Sequence, residues 1–326
     1  MWCAFMVIMP LALGLSPSTW IGDSLSIIGD LTLKNLTLPG THDSGTYYLT
    51  DTPMPGDKSE FWTALYELAD LLDKDVGVVA KDWAQSQDQD FYQQMLGGIR
   101  YFDLRAGWQN VTKTWVTFHF VEGYPVQYLL GNISQYLKDY PSEIVVVEMS
   151  HFDGFPTENN IEVLKQMVLN TLGQYLQPVD LTFSFTVNQM ISTGKRALVT
   201  MSSGFDNTVI WPPSTFYGTY ADSPDLKKMV DFNNKTVEFF MSQNWPGQLF
   251  QISWTLTPDT DTVLETVVPW KPHTLIQLAD HANIALPSFY TEMKKYGWRM
   301  GNILVIDHYE KSSILPVVWG FNGIPY

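Results

Sequence analysis

Four consecutive β-branched residues, Ile144-Val145-Val146-Val147, limit what this chain can fold into more than any other stretch. Side chains along a strand alternate between faces, so an unbroken apolar run must be buried on both. Strands of that kind belong to parallel sheets covered by helices. The run leads straight into Glu148, Met149, Ser150 and His151, so an apolar strand ends in groups that ionise or donate hydrogen bonds. In parallel α/β folds, the carboxyl ends of the strands are where chemistry is placed.

The same pattern recurs along the chain. Leu36 and Leu38 run into Pro39-Gly40-Thr41-His42-Asp43. Ile99 to Arg105 reads as a strand by its alternation and aromatic content, and it carries Asp103 and Arg105. Val111 to Phe120 reads as a third strand with His119 near its end. Ala197 to Thr200, Phe250 to Trp254 and Ile303 to Ile306 follow, the last meeting Asp307 and His308. Between them apolar residues recur at helical spacing, as in Phe61, Leu65, Leu68, Ala69 and Leu72, or Ile161, Leu164, Val168 and Leu172. Helical patterns also cover 124–140, 225–243 and 277–297. Seven strands alternating with helices predict an α/β fold, a distorted (β/α)8 TIM-type barrel one strand short of complete. No linker or repeat divides the chain, so residues 19–326 read as one domain.

Composition narrows the function. Of 326 residues 45% are hydrophobic and 16% charged, which suits one large core. A net charge of −15 argues against nucleic acid and against steady attraction to anionic membranes. Residues 1–18 read as a signal peptide: Trp2 to Leu15 is apolar apart from Pro10, and small-x-small triplets sit at Ala12-Leu13-Gly14 and Ser16-Pro17-Ser18. The usual basic residue near the start is missing, and a buried first element of the fold is the alternative. Cys3, the only cysteine, would leave with such a leader, and no thiol metal site or disulfide would remain. Sequons at Asn35, Asn110, Asn132 and Asn234 point the same way, towards a secreted or extracytoplasmic glycoprotein.

Read alone, His42-Asp43 could simply cap the next helix. Five strands, however, each deliver an ionisable group at or near one end: His42 with Asp43, Asp103 with Arg105, His119, Glu148, and Asp307. Two histidines, three aspartates and an arginine suit phosphodiester cleavage without metal. One imidazole takes a proton from the attacking hydroxyl, the other protonates the leaving oxygen, and arginine offsets the charge growing on phosphorus-bound oxygens.

These residues resemble a known family. Leu38-Pro39-Gly40-Thr41-His42-Asp43-Ser44-Gly45, Gly98-Ile99-Arg100-Tyr101-Phe102-Asp103-Leu104-Arg105, Phe118-His119 and Glu143 to Phe152 are similar to the X-domain core of phosphatidylinositol-specific phospholipase C. The small X-domain-only branch fits best. Trp211-Pro212, Leu256-Thr257-Pro258 and Asn302 to Asp307 extend the resemblance from about Leu31 to the C-terminus. It implies a barrel in which His42, held by Asp307, is general base on the inositol 2-hydroxyl. His119, assisted by Asp43, is general acid for the diacylglycerol oxygen, and an inositol cyclic phosphate is the first product. Metal-dependent relatives carry Glu-x-Asp where this chain has Asp103-Leu104-Arg105. The resemblance therefore implies calcium independence, with Arg105 as a fixed positive charge in the cation's place; a weak calcium site among Asp43, Asp103 and Glu148 is the alternative.

Lys195-Arg196 is expected either to reach an inositol hydroxyl or phosphate or to be a solvated basic pair. Glu148 is expected to bind substrate or to accept from Arg105 or a neighbouring hydroxyl. His151 reads as a hydrogen-bonded core histidine. The aromatic loop Trp211 to Tyr220 either contacts a membrane surface transiently or closes the mouth. The protein is expected to act as a monomer on a phosphoinositide or another phosphodiester lipid, a glycosylated inositol lipid anchor included. Rival readings are a glycerophosphodiester phosphodiesterase and a secreted binding barrel without turnover.

Overall fold

The computed structural model describes residues 14–325 apart from 57–60, 182, 207, 244–246, 270 and 298. One mixed sheet of eleven strands runs through it. The strands are β1 (Leu38–Thr41), β2 (Leu49–Pro53), β3 (Tyr101–Gln109), β4 (Thr114–His119), β5 (Val121–Pro125) and β6 (Val145–Asp153). They continue as β7 (Ala197–Met201), β8 (Ile210–Trp211), β9 (Phe216–Thr219), β10 (Leu249–Trp254) and β11 (Ile303–Ile306).

Parallel ladders join β8, β7, β6, β3, β1, β11, β10 and β9 in that order. Taken as a cycle, this is chain order, as in a (β/α)8 fold. The cycle does not close, because among the described residues no ladder joins β8 to β9. Pro212 and Pro213 fall between them and lack the N–H a ladder requires, and Pro213–Thr215 form a 3-10 turn. The expected barrel is therefore an α/β fold whose central sheet is open along one seam.

Four strands go beyond the sequence expectation. β2 is largely exposed, β5 contains glycine and ends in proline, and β8 and β9 lie inside the supposed aromatic loop. A second difference concerns His119. Its strand β4 is antiparallel to β3, so His119 does not end a parallel strand. The hairpin folds back, pairing Ala106 with Thr117, and so returns His119 to about the height of Leu104.

Alternation sorts the sheet into two faces, both buried. Val145 and Val147, Phe102 and Leu104, and Leu304 and Ile306 join the cluster packed under the helices. Val146, Tyr101, Ile303, Val305 and Leu38 join the cluster inside the sheet. Two residues beyond Tyr101, Val146 and Val305, and four beyond Leu38, the alternation places Asp103, Glu148, Asp307 and His42 on that same inner face. An apolar floor thus carries a polar upper layer. Gly40 belongs to that floor: a Cβ there would meet the Tyr101 ring at 2.6 Å.

The floor is sealed from below by the first described elements. Trp20, Ile21 and Ile28 are fully buried in the inner cluster, and Trp20 Nε1 donates to the Gly98 carbonyl at 2.9 Å. Beside them lies a wholly buried ion pair. Arg100 donates to Glu143 Oε2 from Nε at 2.8 Å and from Nη2 at 2.6 Å. Its remaining donors reach the carbonyls of Met95 and Ile99, and those of Pro17 and Ser18 at 3.1 and 3.2 Å. Glu143 Oε1 accepts from Gly22 N at 2.8 Å. Most of the apolar run proposed as a leader lies outside the described residues. Pro17 and Ser18, by contrast, are docked on the folded body, and a chain starting at residue 19 would leave Arg100 without two acceptors.

Candidate active site

The polar layer opens into a cavity of about 640 Å³ lined by His42, Asp103, Arg105, His119, Glu148 and Asp307 among others. His42 lines it, and the buried Asp43 carboxylate lies against His42, Arg105 and His119, although neighbours in a strand point to opposite faces. A left-handed turn at Asp43, φ +41°, swings its carboxylate back inward, a conformation aspartate tolerates better than most residues.

The distances define a compact ion network. His42 Nδ1 lies 2.9 Å from Asp307 Oδ1. Its Nε2 faces the network's centre, 3.4 Å from Asp43 Oδ2, 3.4 Å from Arg105 Nη2 and 4.0 Å from Asp103 Oδ2. Arg105 Nε sits 2.5 Å from Asp43 Oδ1, an ion pair without the alignment of a hydrogen bond. On the other side, His119 Nδ1 donates to the Ala84 carbonyl at 2.8 Å and lies 3.3 Å from Asp43 Oδ2. That bond leaves Nε2 as the free nitrogen of His119. The two imidazole rings stand 6.4 Å apart, edge to face. Asp103 accepts from Asp43 N at 3.3 Å and from Ser150 Oγ at 2.8 Å.

Charge follows from these contacts. Burial alone would lower His42, but Asp43, Asp307 and Asp103 outweigh it and raise the imidazole to about 9. Burial would raise Asp43, yet Arg105 and the two histidines hold it at about 2. His119 is lowered, because burial outweighs its attraction to Asp43. Glu148 is pushed up to about 8 by burial and by Asp103, and it accepts from the Tyr101 hydroxyl. Near neutral pH the site thus holds a carboxylate–guanidinium pair, one imidazolium, one neutral imidazole and a protonated Glu148.

All six residues expected to be catalytic, and Glu148, meet here. Lys195 and Arg196 do not. They precede β7 and so lie at the opposite end of the sheet, where Lys195 donates to the Gln174 carbonyl. Arg196 is buried and donates to the carbonyls of Leu137, Tyr140 and Glu143, a structural role far from the cavity. His151 is no core residue: it is exposed at the cavity's edge, with Nδ1 2.8 Å from Ser150 Oγ. The supposed aromatic loop divides, Trp211 entering the inner core while Phe216 and Tyr220 line the cavity. Sequence reasoning missed Tyr101, which carries Glu148 and accepts from Gln251 at 3.2 Å, and the segment Ala84 to Gln87.

No family model matches the chain. Among curated proteins it is similar to PI-PLC X domain-containing protein 2 of Mus musculus, 25% identical over 311 residues that cover 94% of this chain and 87% of that one. PI-PLC X domain-containing protein 3 of Mus musculus is 24% identical over 315 residues, covering 94% and 93%. Among solved structures, the phosphatidylinositol-specific phospholipase C from Listeria monocytogenes aligns with a TM-score of 0.62 at 20% identity, covering 93% of this chain and 98% of that one. A variant of the Staphylococcus aureus enzyme gives 0.62 at 18%, covering 97% and 100%. Homologues named for the X domain thus span most of the chain, and its fold is that of the bacterial structures.

Proposed function

We propose that this protein is a phosphodiesterase that cleaves a phosphoinositide-type lipid by paired imidazole catalysis. The observation that carries the reading is the pair of rings 6.4 Å apart across the buried Asp43–Arg105 pair, each with its Nδ1 already held. In the first step His42 Nε2 takes the proton of the headgroup hydroxyl beside the phosphodiester. That oxygen bonds to phosphorus while His119 Nε2 protonates the departing diacylglycerol oxygen, and a cyclic phosphate remains. In the second, water attacks phosphorus, His119 takes its proton, and His42 returns one to the ring oxygen as the cyclic ester opens. Arg105 offsets the charge that builds on the phosphoryl oxygens.

Calcium independence belongs to the same proposal. Atoms of His42, Asp43 and Asp103 lie within 4.8 Å of one another, close enough to share a cation. Arg105 already neutralises Asp43 at 2.5 Å, and Glu148 is occupied by Tyr101 and protonated. A lipid substrate is supported by exposed Val111, Phe155, Phe205 and Tyr220 on the loops beyond β3, β6, β7 and β9, the end that holds the cavity. They suit transient contact with a membrane surface. No described helix is long and apolar enough to cross one. We propose an extracytoplasmic destination on the N-terminal pattern, and Asn35 and Asn110 of the sequons are exposed.

The test is to incubate the protein with phosphatidylinositol vesicles and a chelator and follow phosphorus NMR. Inositol cyclic phosphate is expected. Saturable lipid binding without any product would make this a binding protein, and turnover only after adding a divalent cation would remove Arg105 from its role.

The charge state makes a second prediction. The first step needs His42 neutral and His119 protonated, whereas the resting site holds its proton on His42. The pair carries one proton between the lowered His119 value and about 9, and only that form can place it on His119. kcat/KM should therefore be flat across this window. It should fall above about 9 as the pair loses its last proton, and fall on the acid side, below the ordinary histidine value, as it gains a second. A profile with an acid limb near 9 would contradict the assignment.

A further inference from the structure

The two imidazoles of the site are tied to one segment that carries no ionisable group in the network, Ala84 to Gln87. Ala84 closes the helix Val76–Ala84, and Gln85 to Gln87 run on without regular structure past the open end of β1 and β11. Each hydrogen bond of this segment that bears on the site goes to a different part of it. The Ala84 carbonyl accepts from His119. Ser86 N donates to Thr46 Oγ1 at 2.9 Å, and the Ser86 carbonyl accepts from His308 N at 2.8 Å. Gln87 is fully buried, and its Nε2 donates to two carbonyls, those of His42 and Ile306, each at 3.0 Å. Its Oε1 accepts from Tyr309 N at 3.4 Å.

The geometry points to Gln87 as the positioning residue that holds His42 against Asp307. The ladder between β1 and β11 ends at Thr41 and Ile306. Two residues beyond Thr41 the backbone of Asp43 turns left-handed, so the strands can no longer satisfy the His42 carbonyl. The Gln87 amide takes over as a surrogate rung. It joins the carbonyl of the base to that of the residue just before Asp307, and both its amide hydrogens are used. His119 is fixed three residues away in the same segment, so this frame also sets the distance across which a phosphodiester must fit. A displacement of about 1 Å in such a site costs on the order of 10²-fold in rate. A neutral side chain can do this where a charged one cannot, since a carboxylate would face two carbonyl oxygens and an ammonium could not also accept from Tyr309.

The inference rests on the proposed function only for the word base; the held contact can be read without turnover. The test compares the wild-type protein with Gln87→Met, which keeps the volume and loses the amide, and with Gln87→Leu, which also loses the amide and adds no charge. In each, the His42 and His119 ring protons are titrated by NMR, and kcat and KM are measured on phosphatidylinositol. Loss of the rung should lower the His42 midpoint by about a unit, because Asp307 is the carboxylate freed to move while Asp43, Asp103 and Arg105 stay. kcat should fall about 10- to 100-fold, with KM within about threefold. A folded variant with an unmoved His42 midpoint overturns the inference, even if its melting temperature drops, since packing alone would do that. If the wild type turns over no inositol lipid, the function reading fails but the titration still decides the positioning. Should Gln87→Met not fold, Gln87→Leu carries the same readout.

Discussion

His42→Ala should lower turnover of phosphatidylinositol by a factor on the order of 10²–10⁴, and His119→Ala by a similar factor. Each removes a proton carrier that nothing nearby can replace. Asp307 stays buried behind His42 without reaching the cavity's centre, and His151 is at the edge, bonded to Ser150. The two losses should not multiply, because one imidazole without the other cannot complete the transfer; the double variant should be about as slow as either single one. His42 keeps 24% of its side-chain surface exposed and His119 11%, so both substitutions leave modest cavities. Circular dichroism and a thermal melt should show the fold retained. A single variant that keeps wild-type turnover would remove that histidine from the mechanism.

The largest effect on stability should come from Arg100, far from the chemistry. Arg100→Ala leaves the Glu143 carboxylate buried with backbone amides of Ile21 and Gly22 but no cation, and frees the carbonyls of Met95, Ile99, Pro17 and Ser18. Breaking a fully buried pair from one side costs about 3–5 kcal/mol. The double replacement Arg100→Met with Glu143→Met should cost less, since it removes the unpaired charge. Urea unfolding of the wild type and these two variants measures this. A loss below about 1 kcal/mol for Arg100→Ala would mean that water reaches Glu143 and that the N-terminal segment does not seal the floor.

What the sequence disclosed and what it withheld have a common physical basis. Strand alternation and the apolar run at Ile144 to Val147 are local patterns, and by themselves they put His42, Asp103, Glu148 and Asp307 on one face. Lys195 and Arg196 show the rule from its other side. A residue before a parallel strand lies at the amino end, away from the cavity, and that polarity was already in the sequence. The seam between β8 and β9 was less accessible, because strands of two and four residues on either side of Pro212 and Pro213 carry too little periodicity to register. Gln87 and Tyr101 were hidden for another reason. Neutral groups that act on backbone carbonyls, as Gln87 does, or through their own hydroxyl, as Tyr101 does on Glu148, leave no charge pattern, and Ser86-Gln87-Asp88-Gln89 reads only as a polar loop.

The division of labour between the two histidines is the claim on which the rest depends, and a change of leaving group tests it. In inositol para-nitrophenyl phosphate the departing phenolate needs no proton, so a general acid becomes dispensable while a general base does not. Single-turnover rates of the wild type, His119→Ala and His42→Ala on this compound should separate the roles. The account predicts that His119→Ala recovers to within about tenfold of the wild type, whereas His42→Ala stays down by roughly 10² or more. Equal impairment of both variants, or recovery of His42→Ala instead, would contradict it.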